Sequence, residues 1–210
     1  MSLETTQKRL TFASKFISER IESLKKDSKI CIGNTCPFPA LLYCFSTIDL
    51  LGSLYEGNAT GNTRRYGRQV GTTIKATKYM TEIIGYPKFE TNLLQFQFRH
   101  RLVHLAQPQT LVYDNNKSIG WQLDNVYLGN HMILKKLESK QEVVTLTPVP
   151  LKGDYVFIVS IEKLVGDIER SVNETDTGYL DKLKRNQDKL QLKFDKAIQQ
   201  IFNLNVALQK

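Results

Sequence analysis

The sequence is poor in the residues from which disulfides and metal sites are built. It contains only three cysteines and three histidines in 210 residues. An odd number of cysteines without a secretory signal is typical of reduced thiols in a cytoplasmic protein. Cys31 and Cys36 are five positions apart and no second pair accompanies them, which disfavours a zinc site. We therefore expect small buried side chains at the cysteines, with no metal and no cofactor.

The sequence also lacks a long uninterrupted hydrophobic run. Its most apolar stretch, residues 38–54, contains Asp49 and several hydroxyl side chains. Such a stretch is too short and too polar to span a bilayer comfortably, so we interpret it as a central core helix. A charged segment followed by an apolar one, the pattern of a signal peptide, is missing as well. These absences predict a cytoplasmic protein without a membrane partner.

Most of the chain has apolar residues at the spacing that is typical of helices. Hydrophobic residues make up 41% and charged residues 24% of the chain, which is typical of a globular protein. Apolar residues recur every three or four positions in six segments, namely residues 5–26, 40–56, 65–84, 89–105, 154–172 and 180–208. The last segment repeats in heptads and is predicted to be one long helix, which packs on the rest of the protein or pairs with another chain.

Alternating apolar and polar residues interrupt this pattern in the middle of the chain. Residues 110–113 and 118–122 flank a polar turn and predict a β-hairpin, and residues 142–149 predict a further strand. Residues 130–138 fit a strand or a helix. The predicted fold is mainly α, an up-and-down helical bundle with a small β-hairpin insertion and a long C-terminal helix. Its segments are a helical core over 4–108, a β-containing insertion over 109–150, and C-terminal helices over 151–210.

Positive charge is concentrated in one part of the chain. The formal net charge is +8, and residues 61–101 hold eight basic residues against two acidic ones. A concentrated basic surface favours a phosphate-bearing partner, although a merely solvated face has the same composition. The residues predicted to bind nucleic acid are Arg64, Arg65, Arg68, Lys75 and Arg101.

The segment from residue 99 to residue 104 combines two arginines with two of the three histidines. Histidine exchanges protons near neutral pH, and the fork of arginine donors fits a phosphate. These are the groups needed to cleave a phosphodiester without a metal. One histidine takes the 2′-hydroxyl proton, an arginine stabilises the phosphate charge, and an acid protonates the leaving oxygen.

The spacing of Arg99, His100 and His104 resembles the Arg-x4-His motif of the HEPN superfamily (higher eukaryotes and prokaryotes nucleotide-binding), in which a polar residue follows the arginine. The resemblance covers about residues 5–107, and His100 stands where asparagine or aspartate is more common. It implies that Arg99 and His104 are a catalytic pair and that His100 supports them.

This resemblance also implies a fold and partners. HEPN proteins are helical bundles that usually dimerise, and many are metal-independent endoribonucleases of toxin–antitoxin or phage-defence systems. For this chain it implies RNA as ligand, a homodimer, and an antitoxin or another protein as a partner. A dimer would also solve a geometric problem. Arg99 and His104 are five positions apart, and such positions lie roughly 140° apart around a helix axis, so one chain does not bring both to one phosphate. Two facing copies of the segment would bring both histidines to one phosphate.

Other interpretations of the same residues stay open. The chain could be a non-catalytic interaction module of the same fold. His100 and His104 also have the i, i+4 spacing of metal ligands, and His131, Asp49 or Glu56 could complete a site in a metal-binding helical-bundle enzyme. The two histidines could instead make only hydrogen bonds at a helix end. Asp49, in the most apolar helix, is expected to need a buried partner.

Overall fold

The structure is a computed structural model of the 210-residue chain. It describes residues 6–60, 63–65, 68–105, 108, 110–113, 117–138, 142–143, 151–152 and 154–202. Within these ranges the side chains of 63–65, 68–70, 103–105, 113, 142–143 and 151–152 lie outside the description.

Helices account for most of the regular structure in the described residues. The α-helices are α1 (Thr6–Gly33), α2 (Pro37–Glu56), α3 (Thr72–Tyr79), α4 (Lys88–Leu93), α5 (His100–Leu105), α6 (Ile161–Asn173), α7 (Tyr179–Lys184) and α8 (Leu190–Phe202). Wider π-helical turns follow α3 at Met80–Ile84 and join α4 to α5 at Leu94–Arg99, and a 3₁₀ turn at Gln187–Lys189 precedes α8. The prediction of a mainly α protein is confirmed.

The strands form one mixed sheet and two small hairpins. In the sheet, β3 (Leu111–Tyr113), β4 (Lys117–Asp124), β8 (Tyr155–Ser160) and β5 (Ile133–Lys136) lie side by side in that order. The β4–β8 pair is parallel, and the other two pairs are antiparallel. β1 (Thr63–Arg65) pairs with β2 (Arg68–Val70), and β6 (Glu142–Val143) pairs with β7 (Leu151–Lys152). The predicted hairpin over 110–122 corresponds to β3 and β4.

The first two helices follow the apolar spacing of the sequence. In α1 the buried positions are Ala13, Ile17, Ile21 and Leu24, which repeat at intervals of three and four and form one face. α2 is buried over much of its surface because its apolar residues surround the helix. α2 is long and apolar enough to cross a membrane by length and composition, and 61% of that stretch is buried inside the protein.

The prediction of a helix over residues 154–172 is wrong in its first third. Residues 155–160 form β8, and only then does α6 begin. β8 lies between β4 and β5, and its run from Val156 to Val159 is buried. A strand with neighbours on both sides and cover on both faces needs continuous apolar residues, which mimic the spacing of a helix. The Ser160 hydroxyl then accepts the Lys163 backbone N–H at 3.3 Å and caps α6.

The predicted long C-terminal helix is wrong as well. α7 ends at Lys184, and Asn186, Asp188 and Lys189 adopt positive φ angles of 51°, 49° and 59°. Asparagine and aspartate tolerate this left-handed conformation, so the chain turns before α8 begins. The last predicted heptad positions, Leu204 and Leu208, lie outside the described residues.

The predicted helix over residues 65–84 begins later than expected. Residues 63–65 and 68–70 form the β1–β2 hairpin, and α3 starts at Thr72. Gly71 is extended at the N-cap of α3, in line with the low helix propensity of glycine, and Gly67 lies outside the described residues.

The chain divides into two compact units, each assembled from separate stretches of the sequence. Unit 1 comprises 1–22, 46–84 and 169–210, and unit 2 comprises 23–45 and 85–168. In unit 1, the rings of Tyr55, Tyr79 and Tyr179 meet edge to face with centroids 6.1–6.3 Å apart. In unit 2, Trp121 of β4 packs edge to face against Phe98, with centroids 6.0 Å apart. Aromatic side chains bury large areas, so these groups are part of the core of each unit.

Candidate nucleic-acid interface

Residues 88–105 of unit 2 are helical without interruption and carry the predicted site. The helix starts after Pro87, and its apolar side is buried through Leu93, Leu94, Phe98 and Leu102. The π-helical turn at Leu94–Arg99 is wider than an α-turn, and both Gln95 and Gln97 are buried there as well. Such turns are frequent at functional sites in helices.

The sheet of unit 2 fixes this helix in place. The Gln97 side-chain amide donates to the backbone oxygens of Ile119 and Gly120 in β4, at 2.9 and 3.2 Å. The Phe98 ring packs on Trp121 and on Phe157 of β8. One side of the helix is therefore held by hydrogen bonds and aromatic packing, and the opposite side is presented to solvent.

An aromatic pair lies on the solvent side. The Phe96 side chain is 53% exposed, although phenylalanine is usually buried. The His100 ring, one turn later, stacks on Phe96 with centroids 6.0 Å apart and planes 23° apart. Arg101 is exposed, and Arg99 is half-buried. We call Phe96, Arg99, His100 and Arg101 the aromatic–basic segment.

His104 belongs to α5, but its side chain lies outside the described residues. The helical backbone still fixes the relative positions of residues 99, 100 and 104. His100 and His104 are one helical turn apart and share a face, whereas Arg99 and His104 are five positions apart and lie roughly 140° apart. The π-helical turn ends at Arg99 and so leaves this angle unchanged. On an ideal helix, positions 99 and 104 therefore lie on different faces.

The β1–β2 hairpin of unit 1 holds three of the predicted nucleic-acid-binding arginines, Arg64, Arg65 and Arg68. Their side chains lie outside the description, but the backbone register is given. Arg65 stands opposite Arg68, and Arg64 stands opposite Gln69.

Lys75 does not belong to the predicted nucleic-acid-binding surface. Its side chain is completely buried, and Nζ donates to the backbone oxygens of Asn58 at 2.8 Å and Thr60 at 3.1 Å. Burial lowers the Lys75 pKa, while the negative charges of Asp49 and Glu56 act in the opposite direction. A lysine enclosed by carbonyl oxygens cannot also bind a phosphate. Asp49 thus has a cationic neighbour in Lys75.

The residues of the alternative metal site are engaged differently. His131 lies in the hydrogen-bond network described next, and Glu56 pairs with Lys78. Among the residues that the structure describes, no group of three His, Cys, Asp or Glu side chains is arranged to hold a metal ion. That search does not include the His104 side chain, which lies outside the description.

A hydrogen-bond network that the sequence analysis missed lies elsewhere in unit 2. It links Tyr86, His131, Lys163 and Asp167, and we call it the closed network. The Tyr86 hydroxyl is 2.9 Å from His131 Nε2 and donates to Asp167 Oδ2 at 2.9 Å. Lys163 Nζ binds the other Asp167 oxygen at 2.7 Å. The side chains of His131 and Asp167 are only 5% and 3% exposed.

The network fixes the protonation of His131. The Ser160 backbone N–H donates to Nδ1 at 3.0 Å, so in the neutral ring the proton sits on Nε2 and is donated to the Tyr86 oxygen. Burial lowers the His131 pKa to about 4, against a smaller opposing effect of the Asp167 charge. His131 is therefore neutral near pH 7 and has no face open to a ligand within this network.

One signal in the sequence could have revealed the network. Asp167 stands between Leu164 and Ile168, on the apolar face of α6. A carboxylate at a core-facing position requires a buried partner because an unpaired buried charge is costly. The partners themselves, at positions 86, 131 and 163, come from separate elements and could not be identified from spacing.

Comparison of the chain with protein-family models, with curated proteins and with solved structures finds no match.

Proposed function

We propose that the protein binds RNA through the aromatic–basic segment. The observation that carries this proposal is the exposed Phe96–His100 stack with Arg99 and Arg101 beside it in the chain. Exposed aromatic rings stack on nucleobases, and guanidinium groups bind phosphates. The other support is the surplus of basic residues over 61–101, which includes the arginines of the β1–β2 hairpin.

The test is the affinity of the full chain for a fluorescein-labelled single-stranded RNA. Stacking on an aromatic ring contributes about 1–3 kcal/mol per base, so Phe96→Ala should weaken binding about fivefold or more. Leu192→Ala, which removes an exposed apolar side chain from α8, is the matched control and should leave the affinity unchanged. Equal affinities for Phe96→Ala and the wild-type protein would contradict the proposal.

A second candidate function is metal-independent RNA cleavage of the HEPN type, in a toxin or phage-defence role. It is supported by the placement of His100 and His104 on one face of α5 next to two arginines. In this proposal a helical-bundle homodimer brings two copies of the segment together, since positions 99 and 104 lie on different faces of an ideal helix. The continuous C-terminal heptad no longer supports the dimer, because α7 and α8 are separate helices.

Cleavage and binding are separated by one assay. Incubation of RNA with the protein in excess chelator should leave 2′,3′-cyclic phosphate ends, and His104→Ala should abolish the products while binding persists. Light scattering should give twice the 24.1 kDa mass of one chain. Binding without cleavage would identify a non-catalytic module, and activity that a divalent metal restores after chelation would favour the metal-binding alternative.

A further inference from the structure

The C-terminus of α1 has a hydrogen-bond pattern that brings two cysteines together. The Thr35 backbone N–H donates to the Ile32 oxygen at 3.2 Å, and the Cys36 N–H donates to the Cys31 oxygen at 2.8 Å. Thr35 has a φ of 54°, in the left-handed region. These are the features of a Schellman motif, which reverses the chain at the end of a helix.

The motif places Cys31 and Cys36 at the two positions whose side chains commonly touch across such a turn. Because one hydrogen bond of 2.8 Å joins their backbones, the bond lengths and the fixed angle at the Cys31 carbonyl carbon limit the separation of the two Cα atoms to about 6.7 Å. Disulfides usually span Cα separations of ~4.4–6.8 Å. The pair is therefore close enough to be bridged without rebuilding the turn.

The two thiols also differ from the third cysteine in access. Cys36 is exposed and Cys31 is half-buried, whereas Cys44 is completely buried in α2. Burial raises the pKa of Cys44 to about 12, and a thiol that stays protonated inside the core is a poor nucleophile. Oxidants in solution thus reach one end of the Cys31–Cys36 pair directly and do not reach Cys44.

We propose that Cys31 and Cys36 form a modification site, at which small disulfide oxidants such as oxidised glutathione convert the two thiols reversibly into an intramolecular disulfide. The Cys36 thiolate attacks one glutathione sulfur and releases the first glutathione as its thiolate. The Cys31 thiolate then attacks the Cys36 sulfur of the mixed disulfide and releases the second glutathione. The two cysteines lose two protons and two electrons, and one oxidised glutathione is reduced to two glutathione molecules.

The new bond would replace a weaker interaction of the turn. In the reduced protein the Cys36 thiol donates to the Asn34 backbone oxygen at 3.3 Å. α2 begins at Pro37, directly after Cys36. The disulfide therefore links the last turn of α1 covalently to the start of α2. This inference is independent of RNA binding, since it uses neither the aromatic–basic segment nor the hairpin arginines.

The experiment is intact-mass spectrometry of the full chain, which is exposed to oxidised glutathione in its native state and then denatured so that all remaining free thiols are alkylated. We expect one species that has lost two hydrogen atoms, carries a single alkylated cysteine and no glutathione, and reverts to three free thiols with dithiothreitol. Cys44→Ala is the matched control and should be oxidised in the same way with no alkylated cysteine left. A persistent glutathione adduct, a disulfide-linked dimer or an unchanged mass would overturn the proposal.

Two further variants test the order of the steps. Cys31→Ser should stop at a stable glutathione adduct on Cys36, because the resolving thiol is missing. Cys36→Ser should react far more slowly than the wild-type protein, because the exposed thiol is missing. If both variants were oxidised like the wild-type chain, the disulfide would involve Cys44, and the assignment would be wrong.

Discussion

Two histidines of unit 2 show how differently the same side chain is used in one region of the molecule. His100 stacks on an exposed phenylalanine between two arginines. His131 is enclosed, and both of its ring nitrogens have hydrogen-bond partners inside the protein. The first lies where a ligand can reach it, and the second is already saturated.

Because His131 is buried and hydrogen-bonded while His100 lies on the solvent side, we expect the two regions to affect different properties of the protein. A buried network whose donors and acceptors are all paired makes a fold specific, and it is costly to break because each orphaned group stays out of water. An exposed aromatic ring contributes little to folding, so its removal leaves stability nearly unchanged. We therefore expect variants of the closed network to change unfolding, and variants of the aromatic–basic segment to change RNA binding.

The largest effect is expected for Asp167→Ala. This change removes the acceptor of the Tyr86 hydroxyl and the partner of Lys163, so a buried donor loses its hydrogen bond. We expect a loss of about 3 kcal/mol in the free energy of unfolding, measured by urea titration. Lys163→Gln should cost much less because Lys163 is one-third exposed and can turn to water. Equal and small losses for both variants would show that the network does not stabilise the fold.

A smaller effect is expected from pH. The His131 pKa falls from 6.5 to about 4 on folding, so the unfolded chain takes up a proton first. The stabilisation is complete above about pH 6.5 and is lost as the pH falls toward 4. Between pH 7 and pH 5 the unfolding free energy should drop by about 2 kcal/mol from this group. His131→Gln should remove that part of the pH dependence, and a variant with the wild-type profile would contradict the assignment.

The smallest effects concern the salt dependence of RNA binding. Arg101 is exposed, so Arg101→Gln should reduce the slope of log affinity against log salt by about one. Lys75 is enclosed by carbonyl oxygens and should not touch RNA. Lys75→Met should therefore leave the slope unchanged while lowering the melting temperature. A reduced slope for Lys75→Met would return Lys75 to the binding surface.

The sequence predicted those parts of the fold that depend on neighbours in the chain. The apolar spacing of α1 and the alternation of apolar and polar residues in β3 and β4 are local features, and both predictions agree with the structure. β8 was missed because a strand buried on both faces has the same apolar content as a helix face. The break after α7 depends on left-handed residues at 186, 188 and 189, which a heptad pattern does not register.

The candidate site was predictable only in part for the same reason. The two arginines and two histidines of residues 99–104 are close in the chain, so the sequence alone identified them as a candidate site. The burial of Lys75 was not, because it depends on carbonyl oxygens of residues 58 and 60 that the fold brings to its Nζ atom. The exposure of Phe96 was hidden too, since helical spacing alone assigns an apolar residue to the core.

The most direct test of RNA binding by the aromatic–basic segment is the tryptophan fluorescence of Phe96→Trp during titration with a single-stranded RNA. The chain has one tryptophan, Trp121, which is buried, so the wild-type emission should change little. The introduced indole should be quenched as bases stack on it, with the same midpoint as binding measured by fluorescence anisotropy. Saturable binding by anisotropy without quenching of the introduced indole would show that RNA binds elsewhere and would contradict the account.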